Sequence, residues 1–194
     1  MSRLLQVVIG SAFVVLLIAT PVLFGFHHQH QLRNFREVRK GILYRAGQMP
    51  VEGLAIANHE YQFKTIVSLR DAMTPGVPGP DDAEEEFCKK MEITFVRLLP
   101  YHWEGEEGTV PPVEENVKKF RAVMADPKNY PVLVHCFAGI HRTGAYTAIY
   151  RMEFEGWSNA EAMAEMKACG YANLDHEWDI LTYLENYRPQ RLHK

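Results

Sequence analysis

The chain has 194 residues, of which 47% are hydrophobic and 23% charged, and its formal net charge is −3. This length and composition suit one globular domain with some additional sequence. The slightly negative net charge and the lack of a basic stripe in the sequence argue against a nucleic-acid partner. The three cysteines are an odd number, which does not suit a disulfide framework.

The chain opens with a long run of uncharged, mostly apolar residues, 4–26. The run is long enough to cross a hydrocarbon core of about 30 Å, and no signal-peptide cleavage site is evident before His27. We therefore expect one transmembrane helix within 1–26 and a single-pass membrane protein, with a cleaved signal peptide as the alternative. Basic residues after the run place the following domain in the cytoplasm by the positive-inside rule.

Residues 27–40 follow as a polar juxtamembrane linker. His27, His28 and His30 lie within four positions, but no cysteine or carboxylate accompanies them at ligand spacing. We therefore expect no metal site there, and we expect the folded domain to occupy 41–194.

Strand and helix patterns alternate through 41–194. Apolar, β-branched runs predict the strands 42–46, 65–69, 93–99 and 132–135. Apolar residues at helical spacing predict the helices 51–61, 83–91, 113–125, 142–155, 158–168 and 175–187, and 75–82 is a Pro/Gly loop. The alternation predicts an α/β fold with a mostly parallel central sheet flanked by helices. A ligand loop is expected at the carboxyl end of a strand.

Residues 131–144 join a buried strand to a helix N-terminus and have the sequence Pro-Val-Leu-Val-His-Cys-Phe-Ala-Gly-Ile-His-Arg-Thr-Gly. The backbone N–H groups of such a loop form a nest for an oxyanion, and the helix dipole adds positive potential. Cys136 in this nest, beside the Arg142 guanidinium, is expected to have a lowered pKa and to be a nucleophile. Arg142 can hold two phosphoryl oxygens, and Thr143 can donate its hydroxyl to the sulfur. This chemistry requires no cofactor and no metal.

The pattern His-Cys-x5-Arg-Thr-Gly at 135–144 resembles the signature of the cysteine-dependent protein tyrosine and dual-specificity phosphatases. Segments 34–38, 41–48 and 65–70 are similar to segments of the small atypical dual-specificity group. The resemblance covers most of 33–188 and implies the protein tyrosine phosphatase fold and a phosphocysteine intermediate. It implies that substrate is bound by the loop residues Phe137, Ala138, Gly139, Ile140, His141 and Arg142.

The resemblance also implies a general acid on a loop before the helix that precedes the signature. Members of the superfamily usually carry an aspartate there, whereas residues 100–112 contain none. The segment offers Glu104, Glu106, Glu107 and His102, and a glutamate can make the same proton transfer. We expect Glu107 to be the acid and Glu106 to be the next candidate, because they lie closest to the Gly-Thr-Val-Pro-Pro run.

The five positions between Cys136 and Arg142 contain no lysine. Phosphatases selective for highly phosphorylated inositols carry lysines there, because extra phosphates need extra positive charge. The loop therefore favours a protein substrate with phosphotyrosine, or dual specificity. A phosphorylated inositol or lipid stays open, because inositol-pyrophosphate-cleaving relatives resemble this chain at His141. Arg45 and Arg70 lie near strand ends, either as charges at the mouth or as surface or hydrogen-bonding residues.

Two further functional classes remain open. Because the expected aspartate is missing, the chain also suits a phosphate-binding interaction module with weak or no turnover. Sulfur- and arsenate-handling enzymes also use a cysteine in an anion loop, although the Arg-Thr-Gly ending argues against them.

Overall fold

The computed structural model describes residues 3–70 and 78–190. The strands are β1 Arg36–Arg39, β2 Leu43–Gly47, β3 Thr65–Ser68, β4 Thr94–Arg97 and β5 Val132–Cys136. The helices are α1 Arg3–Gln31, α2 Val51–Tyr61, α3 Asp82–Lys90, α4 Val113–Ala125, α5 His141–Tyr150, α6 Asn159–Ala168 and α7 Trp178–Asn186. A π-helical turn, Arg151–Glu155, continues α5.

The five strands form one mixed sheet in the order β1-β2-β5-β3-β4. β2, β5, β3 and β4 are parallel, and β1 pairs antiparallel with β2 at the edge. Gly47 at the end of β2 is in register with Cys136 at the end of β5. β5 therefore lies between β2 and β3, and the carboxyl ends of all three strands meet at one edge.

Helices cover both faces of the sheet because the strand residues alternate between two apolar clusters. Val132 and Val134 of β5 pack in the cluster that contains residues of α4, α5, α6 and α7. Leu133 points to the other face, where Leu54 of α2 and Cys88 of α3 pack. The arrangement is the predicted α/β architecture.

The structure differs from the prediction at β1. The sequence placed 36–39 in a linker, because Arg-Glu-Val-Arg contains one apolar residue and shows no clear alternation. The segment is a strand because its backbone pairs with β2. Of the predicted loop 75–82, residues 75–77 lie outside the described residues.

The prediction of a membrane anchor is wrong. Within residues 3–70 and 78–190, no helix combines the length and the sustained apolarity that a membrane crossing requires. This finding overturns the transmembrane helix within 1–26, the membrane as a partner of 4–26, and the single-pass localisation with a cytoplasmic domain. The prediction counted uncharged residues, and that run also contains polar residues and Pro21, which lies inside α1. The side chains of 27–30 lie outside the described part of the chain, so the expectation for these histidines stays a prediction.

A buried carboxylate connects α3 to two strands beside the edge at which β2, β5 and β3 end. Asp81 is fully buried and accepts hydrogen bonds from Ser68 Oγ at 2.5 Å and from Arg97 Nε and Nη2 at 3.2 and 3.0 Å. Burial raises the pKa of Asp81, but the hydrogen bonds from Arg97 and Ser68 outweigh it and leave the pKa below its usual value. The interaction holds the start of α3 against the ends of β3 and β4.

We predict that Asp81→Asn lowers the free energy of unfolding by about 2 kcal/mol, because it removes the charge from hydrogen bonds to Arg97. The melting temperature should then fall by about 4 to 8 °C in a thermal scan at pH 7. Asp82→Asn is the matched control. The Asp82 side chain is half exposed and its Oδ1 lies 3.5 Å from Arg97 Nη2, so this ion pair should contribute little to the free energy of unfolding.

The same variant tests the direction of the Asp81 pKa. A carboxyl group whose folded pKa lies below its unfolded value near 3.8 contributes stability above that value and loses it as the pH falls through the folded pKa. The difference in melting temperature between the wild type and Asp81→Asn should therefore shrink below about pH 4. A difference that stays constant down to pH 2 would contradict the assignment.

Candidate active site

The candidate site lies where β5 passes into α5. β5 ends at Cys136 and α5 begins at His141, so 137–140 form a short loop at the carboxyl edge of the sheet. A crevice at this edge, between strands on either side, is where open α/β sheets bind ligands. Cys136 is 5% exposed, at the base of this loop.

Three successive carbonyl groups of the loop are held by residues outside it. The hydrogen bonds run from Gln48 N to Phe137 O at 3.0 Å, from Asn34 Nδ2 to Ala138 O at 2.8 Å and from Arg45 Nη2 to Gly139 O at 2.8 Å. The carbonyl and the N–H of one trans peptide point in opposite directions. The N–H groups of 138–140 are therefore turned away from these partners. This is the backbone arrangement of an anion nest.

The nest faces the sulfur of Cys136. The Gly139 N–H donates to Cys136 Sγ at 3.3 Å. Burial raises the pKa of the Cys136 thiol, but the Thr143 hydroxyl and the N–H groups of Thr143, Gly139 and Ile140 outweigh burial and lower the pKa. Among the described residues the Thr143 hydroxyl has no other hydrogen-bond partner, so its proton is available to the sulfur. The geometry favours ionisation of the thiol.

Gly139 is required for this conformation on two grounds. Its φ is +73°, in the left-handed region that favours glycine. A Cβ at this position would lie 2.3 Å from Gly47 N and 2.4 Å from the carbonyl carbon of Ala46. The loop therefore packs directly on the end of β2, and only glycine fits.

Arg45 lies beneath the loop and not at its mouth. The side chain is on β2, is 2% exposed and donates to the Gly139 carbonyl. Its Nε and Nη1 have no hydrogen-bond partner among the described residues. Burial lowers the pKa of Arg45, and the nearby Cys169 and Glu165 oppose this effect only in part. Of the two interpretations that the sequence left open for Arg45, the structure supports the hydrogen-bonding one.

Arg142 is positioned by the neighbouring strand. Its Nη1 donates to the Leu69 carbonyl, just beyond β3, at 2.9 Å. The side chain lies in a small cavity that Trp103 and Tyr146 also line. Because one edge of the guanidinium is held by Leu69, its remaining N–H groups are available for the oxygens of a bound anion.

A second ionisable pair lies directly behind the nucleophile. His135 is buried, and its Nε2 lies 3.0 Å from Glu84 Oε1 on α3. Burial lowers the pKa of His135, but the charge of Glu84 outweighs burial and raises it. Sequence reasoning did not find Glu84, because nothing in an acidic helix shows which carboxylate turns inward.

The segment with the candidate acids is anchored by Trp103. This side chain is 7% exposed and packs edge-on against Tyr146 and Tyr183, with ring centroids 5.8 and 5.2 Å apart. The His102 carbonyl accepts from the Val113 N–H at 3.0 Å, which ties the segment to the start of α4.

Three glutamates follow this anchor, and all three are exposed. Glu104 lines a cavity beside α7. The Glu106 carbonyl accepts from the N–H and the hydroxyl of Thr109 at 2.9 and 2.8 Å, which turns the chain. Glu107 lies within that turn. The structure brings Cys136 and Thr143 together, whereas the identity of the acid stays a prediction.

Two aromatic contacts line the mouth of the loop. Phe137 is 56% exposed and lies beside the guanidinium groups of Arg33 and Arg70. His141 is exposed and stacks on Tyr171 with ring centroids 4.3 Å apart. Phe137 and His141 are the exposed residues of 137–141.

Comparison with known proteins agrees with this geometry. The family model described as "Tyrosine phosphatase family" matches residues 31–193. The dual specificity protein phosphatase TpbA of Pseudomonas aeruginosa is 34% identical over 142 residues, which cover 73% of this chain and 57% of the relative. The inositol diphosphatase DSP5 of Arabidopsis thaliana is 26% identical over 160 residues, which cover 82% of this chain and 72% of the relative.

The fold is also found among solved structures. The crystal structure of P. aeruginosa TpbA has a TM-score of 0.60 and 24% identity, and the match covers 80% of this chain and 85% of that one. The chain spans 55% and 57% of the length of the first curated relatives that it matches. The match over 31–193 takes in the sheet, the nest and the segment with the glutamates, and the chain belongs to the tyrosine phosphatase family.

Proposed function

We propose that the protein hydrolyses phosphate monoesters through a cysteinyl-phosphate intermediate on Cys136. The observation that carries the proposal is the orientation of the loop, whose carbonyls bind Gln48, Asn34 and Arg45. The opposite N–H groups then face the sulfur and a phosphoryl group in front of it. A preorganised set of donors of this kind stabilises the charge that develops in the transition state.

In the first step the Cys136 thiolate attacks phosphorus, and a sulfur–phosphorus bond forms. The bond between phosphorus and the ester oxygen breaks, and Glu107 gives that oxygen its proton. The N–H groups of 138–140 and the Arg142 guanidinium hold the non-bridging oxygens throughout. The products of this step are an alcohol or phenol and phosphocysteine.

In the second step water attacks the phosphorus of phosphocysteine, and the Glu107 carboxylate accepts a proton from that water. The sulfur–phosphorus bond breaks, and its electron pair returns to sulfur. The buried Thr143 hydroxyl stabilises the leaving thiolate by donating to it. The products are inorganic phosphate and the original thiolate.

The substrate class that we propose first is a phosphorylated protein, with phosphotyrosine or dual specificity. Two observations support it: the loop positions 137–141 contain no lysine, and a similar relative is a dual specificity protein phosphatase. A phosphorylated inositol is the second candidate. It is supported by the similarity to an inositol diphosphatase and by the two arginines beside Phe137.

We predict that Cys136→Ser in the full chain lowers the rate of p-nitrophenyl phosphate hydrolysis on the order of 10³-fold or more, because it removes the nucleophile. The melting temperature and the binding of inorganic phosphate should stay close to those of the wild type. A variant that retains activity would refute the role of Cys136. A wild type that binds phosphopeptide tightly without hydrolysing it would establish the interaction module instead.

We predict that Arg45→Met lowers kcat/KM for p-nitrophenyl phosphate about 10-fold or more, because the Gly139 carbonyl loses its partner and the nest loses its orientation. Without those N–H donors the pKa of Cys136 should rise. The pH midpoint for alkylation of Cys136 by iodoacetamide should therefore move upward. Arg45→Lys keeps a cationic donor, so its kcat/KM and its alkylation midpoint should both lie closer to those of the wild type. A merely structural role for Arg45 would leave the alkylation midpoint unchanged in the folded variant.

The identity of the general acid is tested by how strongly kcat depends on the leaving group. Glu107→Gln should lower kcat for phenyl phosphate about 10²-fold, because phenolate is a poor leaving group without a proton. The loss should be smaller for p-nitrophenyl phosphate, since nitrophenolate leaves readily as an anion. Glu104→Gln and Glu106→Gln are the matched controls from the same segment. If one of them shows this dependence and Glu107→Gln does not, the acid is assigned to that residue.

A further inference from the structure

The side of α3 that packs on the sheet presents two carboxylates. Asp81, Glu84 and Cys88 are buried at the spacing of one helix face, and the acidic residues between them are exposed. Asp81 pairs with Arg97 of β4, and Glu84 Oε1 lies 3.0 Å from His135 Nε2 of β5. The first pair holds the start of α3 in place. The second pair therefore meets the residue that directly precedes the nucleophile.

Glu84 and His135 compensate each other for their burial. Their side chains are 7% and 1% exposed. Among the described residues His135 Nδ1 and Glu84 Oε2 have no hydrogen-bond partner. A neutral imidazole would leave the charge of the buried carboxylate without an opposite charge, which is costly. The arrangement therefore favours an ion pair in which an imidazolium faces the Glu84 carboxylate.

The alternation of side chains along β5 places the imidazole between this carboxylate and the sulfur. Leu133 packs with Cys88 of α3, whereas Cys136 packs in the cluster on the other face of the sheet. His135 points to the α3 face, where Glu84 meets it. The imidazolium is therefore nearer to the sulfur than its carboxylate partner is. A cation that is nearer than its anion leaves a net positive potential at the sulfur.

The other titratable groups on α3 do not replace Glu84 in this pair. Burial raises the pKa of the Cys88 thiol to about 12, and the charge of Glu84 adds to this effect, so the thiol stays neutral. The Asp81 carboxylate accepts hydrogen bonds from the arginine of β4 and from Ser68. Glu84 is the carboxylate of this helix that lies against His135.

The neighbouring strands supply no second partner for the imidazole. Arg45 of β2 is in register with Val134 and so points to the opposite face of the sheet. Tyr44 lies on the α3 face, but its hydroxyl accepts from the Gly41 N–H at 3.0 Å. β3 has the sequence Thr-Ile-Val-Ser and contributes no titratable side chain. The charge state of His135 therefore depends on Glu84 and on the nucleophile itself.

We infer that Glu84 is a positioning residue that keeps His135 as an imidazolium ion behind Cys136 and thereby favours the thiolate. This inference rests on the proposed function, because it concerns the nucleophile of that reaction. Burial lowers the pKa of His135, but the charges of Glu84 and Cys136 raise it. Coupling between two titrating groups is reciprocal, so the imidazolium favours the thiolate as the thiolate favours the imidazolium.

The test measures the ionisation of Cys136, so it does not depend on turnover. The pH midpoint for alkylation by iodoacetamide is measured on the full chain, with mass spectrometry of the peptide that carries Cys136. Glu84→Gln removes the charge with little change in volume and should raise the midpoint by about half a unit to one unit. Glu86→Gln is the matched control and should leave the midpoint unchanged, because this carboxylate of α3 is exposed and pairs with Lys90.

A double variant separates an effect through His135 from a direct effect of Glu84. His135→Gln removes the cation and should raise the midpoint by itself. Adding Glu84→Gln to His135→Gln should raise it no further, because the carboxylate has lost the group through which it acts. A further upward shift in the double variant overturns the inference. An unchanged midpoint in folded Glu84→Gln overturns it as well.

A measurement on the unsubstituted chain covers the case in which these variants do not fold. At pH 6.5, the ordinary pKa of a histidine, the ring-nitrogen NMR resonances of His135 should be those of an imidazolium. Resonances of a neutral imidazole would contradict the inference. Failure of the proposed function is recognised separately, because the unsubstituted chain would release no phosphate from p-nitrophenyl phosphate while the alkylation midpoint still responded to Glu84→Gln.

Discussion

The site depends on one constraint, which is that three consecutive carbonyl groups of the loop are bound from behind. A free loop of this length would present carbonyl oxygens and N–H groups to the sulfur in mixed orientation, and carbonyl oxygens would oppose a thiolate. Gln48, Asn34 and Arg45 exclude that alternative, because each donates a hydrogen bond to one carbonyl group of 137–139. The contribution of the Gly139 and Ile140 N–H groups to the lowered pKa of Cys136 follows from this arrangement, while Thr143 adds to it and Arg142 is held separately by the Leu69 carbonyl.

Holding the loop in this way requires charge in the interior. Arg45 is buried beneath Gly139, and His135 and Glu84 form a buried pair directly behind Cys136. Burial of each group alone would be unfavourable, and each is offset by a hydrogen bond or an opposite charge. The carboxyl edge of the sheet therefore combines the candidate nucleophile with three buried ionisable groups.

The outer part of the site differs in character from the nest. The nest is built from backbone groups, whereas side chains line the mouth of the loop. Phe137 with Arg33 and Arg70 lies on one side, and His141 stacked on Tyr171 lies on the other. The loop itself contains no lysine, and the positive charge beside Phe137 comes from Arg33 and Arg70, which lie elsewhere in the chain.

Local sequence determined most of the secondary structure, the α/β class and the candidate nucleophile, because periodicity and the spacing of Cys136 and Arg142 are local properties. Local sequence did not determine β1, because this strand forms only by pairing with β2. A run of uncharged residues also led to the wrong prediction of a membrane anchor. Tertiary structure alone decided that Asn34 and Arg45 donate to carbonyl groups of the loop and that Glu84 pairs with His135 behind it. These residues lie far from it in sequence, and a polar side chain acquires its role from the partner that folding brings within hydrogen-bond distance.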